Sequence, residues 1–245
     1  MNNPQKKQIT EALKDQKEIF GDELFMTKPK KTKASYKSKK AKETEQDLFP
    51  AEKEAWESAG TLKDLETKIN NCTNCVLHKG RNKFVFGSGN PNADVMVVGE
   101  GPGAEEDKQG LPFVGRAGKL LTDILKAIDF SRDDVYIANI VKCRPPDNRT
   151  PLPDEMETCL PYLKKQYEII QPKLILCLGL TAAKGLLKKK ESLTSMRGKV
   201  FEFENAKVMI TYHPAALLRN PNWKRPCWED LQKFKQLYDE LVNLK

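Results

Sequence analysis

Apolar residues in this chain follow two alternating patterns. Short continuous runs at Val95–Val98, within Val135–Val141 and within Lys173–Gly179 are bounded by polar or glycine-containing stretches, which predicts strands buried on both faces. Between them the spacing changes. Over Ala117–Ile128 the residues Leu120, Leu121, Ile124, Leu125 and Ile128 share one face of an amphipathic helix. Leu62, Leu65 and Ile69 repeat at the same period, and helices are also predicted over Pro153–Ile170, from Thr181 to Leu187 and over Glu229–Leu244. Val200–Phe203 and Val208–Tyr212 supply the last strands. Strands alternating with helices specify a three-layer α/β/α sandwich with a central, mainly parallel sheet. The chain shows no internal repeat.

The first 55 residues break this pattern. Lys28–Lys42 is dense in lysine, has few large apolar side chains and no acid, so it cannot bury enough surface to offset the entropy of ordering. Residues 1–55 are therefore expected to be a poorly ordered arm, with a short amphipathic helix over Gln8–Phe25, and residues 56–245 the folded domain. The arm is either an electrostatic tether for nucleic acid or a solubilising tail. The formal net charge of +8 suits a polyanionic partner, although lysine-rich composition alone produces the same sum. No apolar run approaches the roughly 20 residues of a membrane span. The Met1–Lys7 segment lacks the apolar centre of a secretory signal, so a cytoplasmic, prokaryotic-type location is expected. In that reducing setting the six cysteines point to metal ligation or burial rather than disulfides.

Candidate chemistry gathers after the strands. Val98–Gly118 reads V-G-E-G-P-G-A-E-E-D-K-Q-G-L-P-F-V-G-R-A-G, a glycine-rich turn at a strand end, where open α/β folds place ligands. Its carboxylates, Glu100, Glu105, Glu106 and Asp107, exclude a simple phosphate cradle. Phe113 in this loop is either a surface for a flat ligand or core. Asn139 lies near the end of the second strand and carries both a donor and an acceptor, which fits a pyrimidine edge as well as a turn or cap. His213 follows the last strand and precedes a proline, as a catalytic group or a local cap. Cys72-Thr-Asn-Cys75 is a C-x2-C pair, with Cys143 and Cys159 placed singly. Such a set suits zinc or an iron–sulfur cluster, and the lack of a second C-x2-C leans toward the cluster. Cys143 and Cys159 could equally be buried small residues, as Cys177 is expected to be. Cys227 is open, and His78, a ligand in a zinc reading, is expected at the surface.

Taken in order, three segments resemble the motifs of the iron–sulfur, family 4 uracil-DNA glycosylases: the glycine-acid loop, Asn139–Arg149 and Tyr212–Arg219. The resemblance runs from about Leu62 to the C-terminus. It implies a DNA repair enzyme that hydrolyses the N-glycosidic bond of uracil and leaves an abasic site. The implied uracil-binding set is Glu100, Gly101, Glu106, Phe113, Asn139 and His213. Within it Phe113 stacks on the flipped base, Asn139 reads the N3–H and O4 edge, and Glu106 crowds C5 against thymine. His213 donates to O2, assisted by backbone N–H groups of the Gly101 turn. Other branches place an aspartate where this chain has Gly101, which leaves Glu100 as the candidate for water. The resemblance also implies a structural 4Fe-4S cluster on Cys72, Cys75, Cys143 and Cys159. Arg144, Arg149 and Arg219, with Lys142 and Arg116, are the candidate phosphate contacts. Uracil-containing DNA, single- or double-stranded, is the implied partner of a monomer. The stretch Lys188–Arg197 has no histidine, which argues against the branch that forms a covalent histidine adduct. The alternative is a non-catalytic iron–sulfur or zinc nucleic-acid-binding accessory domain of a replication protein.

Overall fold

The computed structural model describes residues 54–242; the lysine-rich arm and the helix expected over Gln8–Phe25 lie outside them. Six strands form one sheet: β1 (Ser88–Gly89), β2 (Val95–Gly99), β3 (Val135–Asn139), β4 (Leu174–Leu178), β5 (Val200–Phe203) and β6 (Ala206–Thr211), in the order β1-β3-β2-β4-β6-β5. The four central strands are parallel, and the edge strands β1 and β5 are antiparallel to their neighbours. The helices are α1 (Leu62–Ile69), α2 (Ala104–Gln109), α3 (Arg116–Lys126), α4 (Pro153–Ile170), α5 (Leu180–Leu187), α6 (Leu193–Met196), α7 (Pro214–Arg219) and α8 (Lys224–Val242).

Every residue of β2, β3 and β4 is buried, and alternate side chains enter different cores. Met96, Val98, Ala138, Ile175 and Cys177 join α1, α4 and α5 through Leu65, Leu163 and Ala182. Val95, Val97, Ile137, Leu174 and Leu176 join α3, α7 and α8 through Leu121, Leu217 and Phe234. A period-two strand with apolar residues at every position needs cover on both sides, and the two helical layers supply it. The three-layer sandwich expected from the pattern is the observed architecture.

Differences from the predicted elements fall at their ends. β3 stops at Asn139, opposite Gly99 at the end of β2, and past it the Val141 N–H still reaches the Glu100 carbonyl at 3.2 Å. The glycine-acid loop contains α2, whose first turn carries Glu105, Glu106 and Asp107. Three carboxylates there favour a helix N-terminus, so residues that looked like loop are helical. α7 begins at Pro214, a proline at the first helical position after a histidine cap. The closing helix starts at Lys224, five residues ahead of the expected Glu229. In the parallel order, β2 lies between β3 and β4, so the connections leaving β2 and β3 run in opposite directions. That arrangement opens a crevice at the carboxyl ends of the strands.

Candidate active site

A cavity of about 470 Å³ occupies this crevice, and Glu100, Gly101, Glu106, Phe113, Asn139 and His213 all line it, with Arg149 and Arg219. The loop after β2, the end of β3 and the start of α7 thus bring together every residue expected to contact the base. Their local geometry explains how each side chain is held.

Phe113 is buried, with its ring centroid 5.6 Å from that of His213 and the planes tilted by 32°. Its backbone lies in the left-handed region at φ 54°, a costly conformation for a non-glycine residue. Two features hold it there. Arg132 donates to the carbonyl oxygens of Phe113 at 3.1 Å and Pro112 at 2.8 Å. Gly118 on α3 leaves room for the Phe113 carbonyl, into which any Cβ at 118 would collide. Arg132 was not legible in the sequence, since it sits in a plain polar turn with no motif around it.

Asn139 pairs in register with Gly99 on β2. A Cβ on Gly99 would collide with Asn139 Oδ1 and come within 2.6 Å of the Phe113 ring, so the bare glycine lets both side chains reach the cavity. Asn139 is 2% exposed, yet its Oδ1 has no hydrogen-bond partner among the described residues. An unpaired buried acceptor costs about 1–3 kcal/mol, a deficit that a bound donor can remove.

His213 caps α7 by accepting the Ala215 N–H at Nδ1, 3.1 Å away. That acceptor role requires a bare Nδ1, so a neutral ring carries its proton on Nε2. Burial, with the Arg219 cation next, pushes its pKa down to about 4, while Glu106 pulls the other way. The imidazole is therefore a neutral hydrogen-bond donor at physiological pH.

The four acids of the loop have separate tasks. Glu106 Oε1 accepts the N–H groups of Val114 and Gly115, both at 2.9 Å, which fixes the strand of loop carrying Phe113 and caps α3 from outside. Asp107 is fully buried and accepts from the backbone of Asn82 at 2.9 Å and Lys83 at 3.4 Å. Glu105 pairs with Lys108 at the surface. Glu100 alone lines the cavity with no hydrogen-bond or ion-pair partner for its carboxylate among the described residues. At Gly101 a Cβ would stand 2.7 Å from Val141 Cγ2, so an acid at that position has no room beside Val141.

The expected phosphate contacts divide. Arg219 and Arg116 are exposed, and Arg144 is half-buried with its Nε on Asn148. Arg149 is committed to Glu155 through two hydrogen bonds of 2.8 and 2.6 Å, an ion pair that also ties the start of α4, where Leu152 N–H donates to Glu155. Lys142 is no phosphate contact. It is completely buried, its Nζ bonds Gln166 at 2.6 Å, and burial lowers its pKa to about 8.

Cys72, Cys75, Cys143 and Cys159 are free thiols. Burial raises the pKa of Cys143, and the nearby Cys75 and Cys72 add to the rise. Cys159 is pushed up to about 12, chiefly by burial, with contributions from Cys143 and Cys75. Cys143 thus feels Cys72 and Cys75, and Cys159 feels Cys75 and Cys143, although among the described residues no three His, Cys, Asp or Glu side chains close into a single metal-ion site. Three of the sulfurs accept donors: Tyr162 O–H to Cys72 at 3.2 Å, Arg81 to Cys143 at 3.2 Å and the Lys142 backbone N–H to Cys159 at 3.3 Å. Donors of this kind suit sulfurs that carry thiolate charge, so the residue set fits a sulfur-ligated cluster. Cys177 is core in β4, Cys227 accepts from Thr211, and His78 is half-buried with Nδ1 on the Cys75 carbonyl. Among the described residues no helix is long and apolar enough to cross a membrane.

The family model of the Uracil DNA glycosylase superfamily matches residues 86–232, and the chain belongs to that superfamily. Its relatives place it among the type-4 enzymes. A type-4 uracil-DNA glycosylase of Pyrobaculum aerophilum is 47% identical over 71% of this chain and 92% of its own length. One from Thermotoga maritima is 48% identical over 70% of this chain and 91% of its own length. A DNA polymerase of Bacillus phage SP01 is 33% identical over 64% of this chain but only 17% of the polymerase.

Proposed function

We propose that this uracil-DNA glycosylase takes an extruded uracil onto Phe113 with His213 at its O2 edge, hydrolyses its N-glycosidic bond and leaves an abasic site for base excision repair. The observation that carries this reading is the buried Asn139 Oδ1 in the cavity, unpartnered among the described residues. Uracil N3–H supplies the missing donor, and the Asn139 amide N–H answers O4. Cytosine reverses both groups and leaves two buried clashes, a discrimination of about 10⁴-fold or more for sites built on hydrogen bonds. A duplex must release the base before any of this contact forms.

Bond cleavage leaves negative charge on the pyrimidine, and His213 Nε2–H donates to O2 as that charge grows. A neutral, fixed donor needs no proton transfer, and such groups contribute about 3–4 kcal/mol to the transition state. Glu106, immobilised by Val114 and Gly115, crowds C5 and turns away the thymine methyl group. Glu100 is assigned to water, because its carboxylate has no partner among the described residues and Val141 closes the Gly101 position. Arg144, Arg149 and Arg219 flank the path of the strand; the Arg149–Glu155 pair makes Arg149 chiefly a brace for the loop. Cys72, Cys75, Cys143 and Cys159 hold a 4Fe-4S cluster, which when bound supplies a rigid cross-link of the loops around β3 and α4. The substrate is uracil-containing DNA, single- or double-stranded, met by a monomer inside the cell.

Incubation with uracil oligonucleotides followed by alkali tests the activity. Scission at uracil in single-stranded, U:G and U:A substrates is expected. DNA binding without scission on all three would leave the accessory-domain reading.

A further inference from the structure

The chain leaving His213 carries a second aromatic surface that the base pocket does not use. After α7 ends at Arg219, a turn over Pro221–Trp223 folds back, with the Trp223 N–H on the Asn220 carbonyl at 3.0 Å. The turn lays the Trp223 indole on Tyr212, the residue immediately before His213, at 4.9 Å between centroids and 18° between planes. The Arg197 guanidinium stands 4.4 Å over the same Tyr212 ring. Arg197 is itself fixed by Asp230 at 2.8 Å and the Pro226 carbonyl. The stack is thus anchored from the core outward.

Its outermost member stays open, since Trp223 is 39% exposed. From Tyr212 to Trp228 the sequence holds Arg219, Lys224 and Arg225 and no carboxylate. Glu229 follows and faces Arg225 at 3.7 Å. A core role would bury the indole, and a solvating surface would not present one. A rigid aromatic face among cations is how single-stranded nucleic acid is held, with the ring taking a base and the cations the backbone.

We propose that Trp223 is a stacking platform for a base of the substrate strand adjacent to the extruded uracil. This rests on the glycosylase reading, since extrusion is what unstacks the neighbouring base. The covalent path from His213 to Trp223 then couples the two grips on one strand.

The test is a cycle between protein and DNA. Binding is measured for wild type, Trp223→Ala and Trp223→Phe with single-stranded uracil oligonucleotides, whose 5′ or 3′ neighbour is a normal base or an abasic site. In wild type, removing one neighbouring base should weaken binding about tenfold. Trp223→Ala should lose a similar factor on the intact strand and nothing further on the matching abasic strand, while Trp223→Phe retains most of the affinity. Unchanged wild-type affinity with either neighbour removed overturns the proposal, and so does an equal loss for Trp223→Ala on intact and abasic strands. The wild-type arm stands even if Trp223→Ala does not fold. Coupling without uracil release would sink the glycosylase reading alone, and release without coupling would sink the platform alone.

Discussion

The base pocket and the cysteine region are joined through Asn139–Cys143, yet they are built on opposite terms. Around the cysteines, polar groups are answered: Tyr162, Arg81 and the Lys142 backbone give donors to three sulfurs, and Gln166 takes the buried Lys142 ammonium. In the pocket, Asn139 Oδ1 is left unpaired among the described residues and Phe113 is held at positive φ. Unsatisfied and strained groups persist only where surrounding structure over-determines them, and they collect at functional sites. The contrast separates a region that maintains shape from one that waits for a ligand. Perturbing the first should cost stability, and perturbing the second should cost chemistry.

The largest effect is expected for His213→Ala, which removes the donor at O2. Single-turnover uracil release should fall roughly 10²–10³-fold, with a much smaller change in DNA affinity. Equal losses in both would make His213 a binding group only. Gly118→Ala comes next, because its methyl group displaces the Phe113 carbonyl. Overpacking of this kind costs about 1–3 kcal/mol, so chemical denaturation should register it together with reduced uracil release. Arg132→Ala removes two hydrogen bonds to loop carbonyls, worth about 1 kcal/mol each. Uracil release should drop several-fold, with partial recovery in Arg132→Lys; a stability change with no change in release would make Arg132 structural alone. The smallest effect belongs to the other region. Tyr162→Phe deletes the hydroxyl on Cys72 and should lower stability by about 1 kcal/mol while the folded enzyme releases uracil normally. A large catalytic loss there would erase the contrast.

Much of this molecule was legible from its sequence. The two-faced strands and the helix faces depend on periodicity, so the sandwich followed from pattern alone, and α4 was placed at its observed bounds. The pocket set was carried by motif resemblance, and the fold brings those residues to one crevice. What stayed hidden depends on partners distant in the chain. Glu105, Glu106 and Asp107 are consecutive acids of similar chemistry, and only the fold sends one to solvent, one to the Phe113 loop and one to Asn82. Lys142 looked like a phosphate contact because its burial and its Gln166 partner are set by α4, 24 residues away. Arg132 and Gly118 act on a backbone conformation that no side-chain pattern announces.

The central claim is that His213 meets the substrate as a neutral Nε2–H donor. It carries a stability signature of known sign. The folded pKa is depressed from 6.5 to about 4, so as pH falls through that window the unfolded chain binds a proton the native chain refuses, and stability declines. The direct test is nitrogen NMR of the imidazoles, with His78→Asn used to assign the chain's two histidines. The account predicts a His213 signal of the neutral Nε2–H form at neutral pH that persists well below pH 6.5 and titrates near 4. An imidazolium at neutral pH, or a proton on Nδ1, would contradict it.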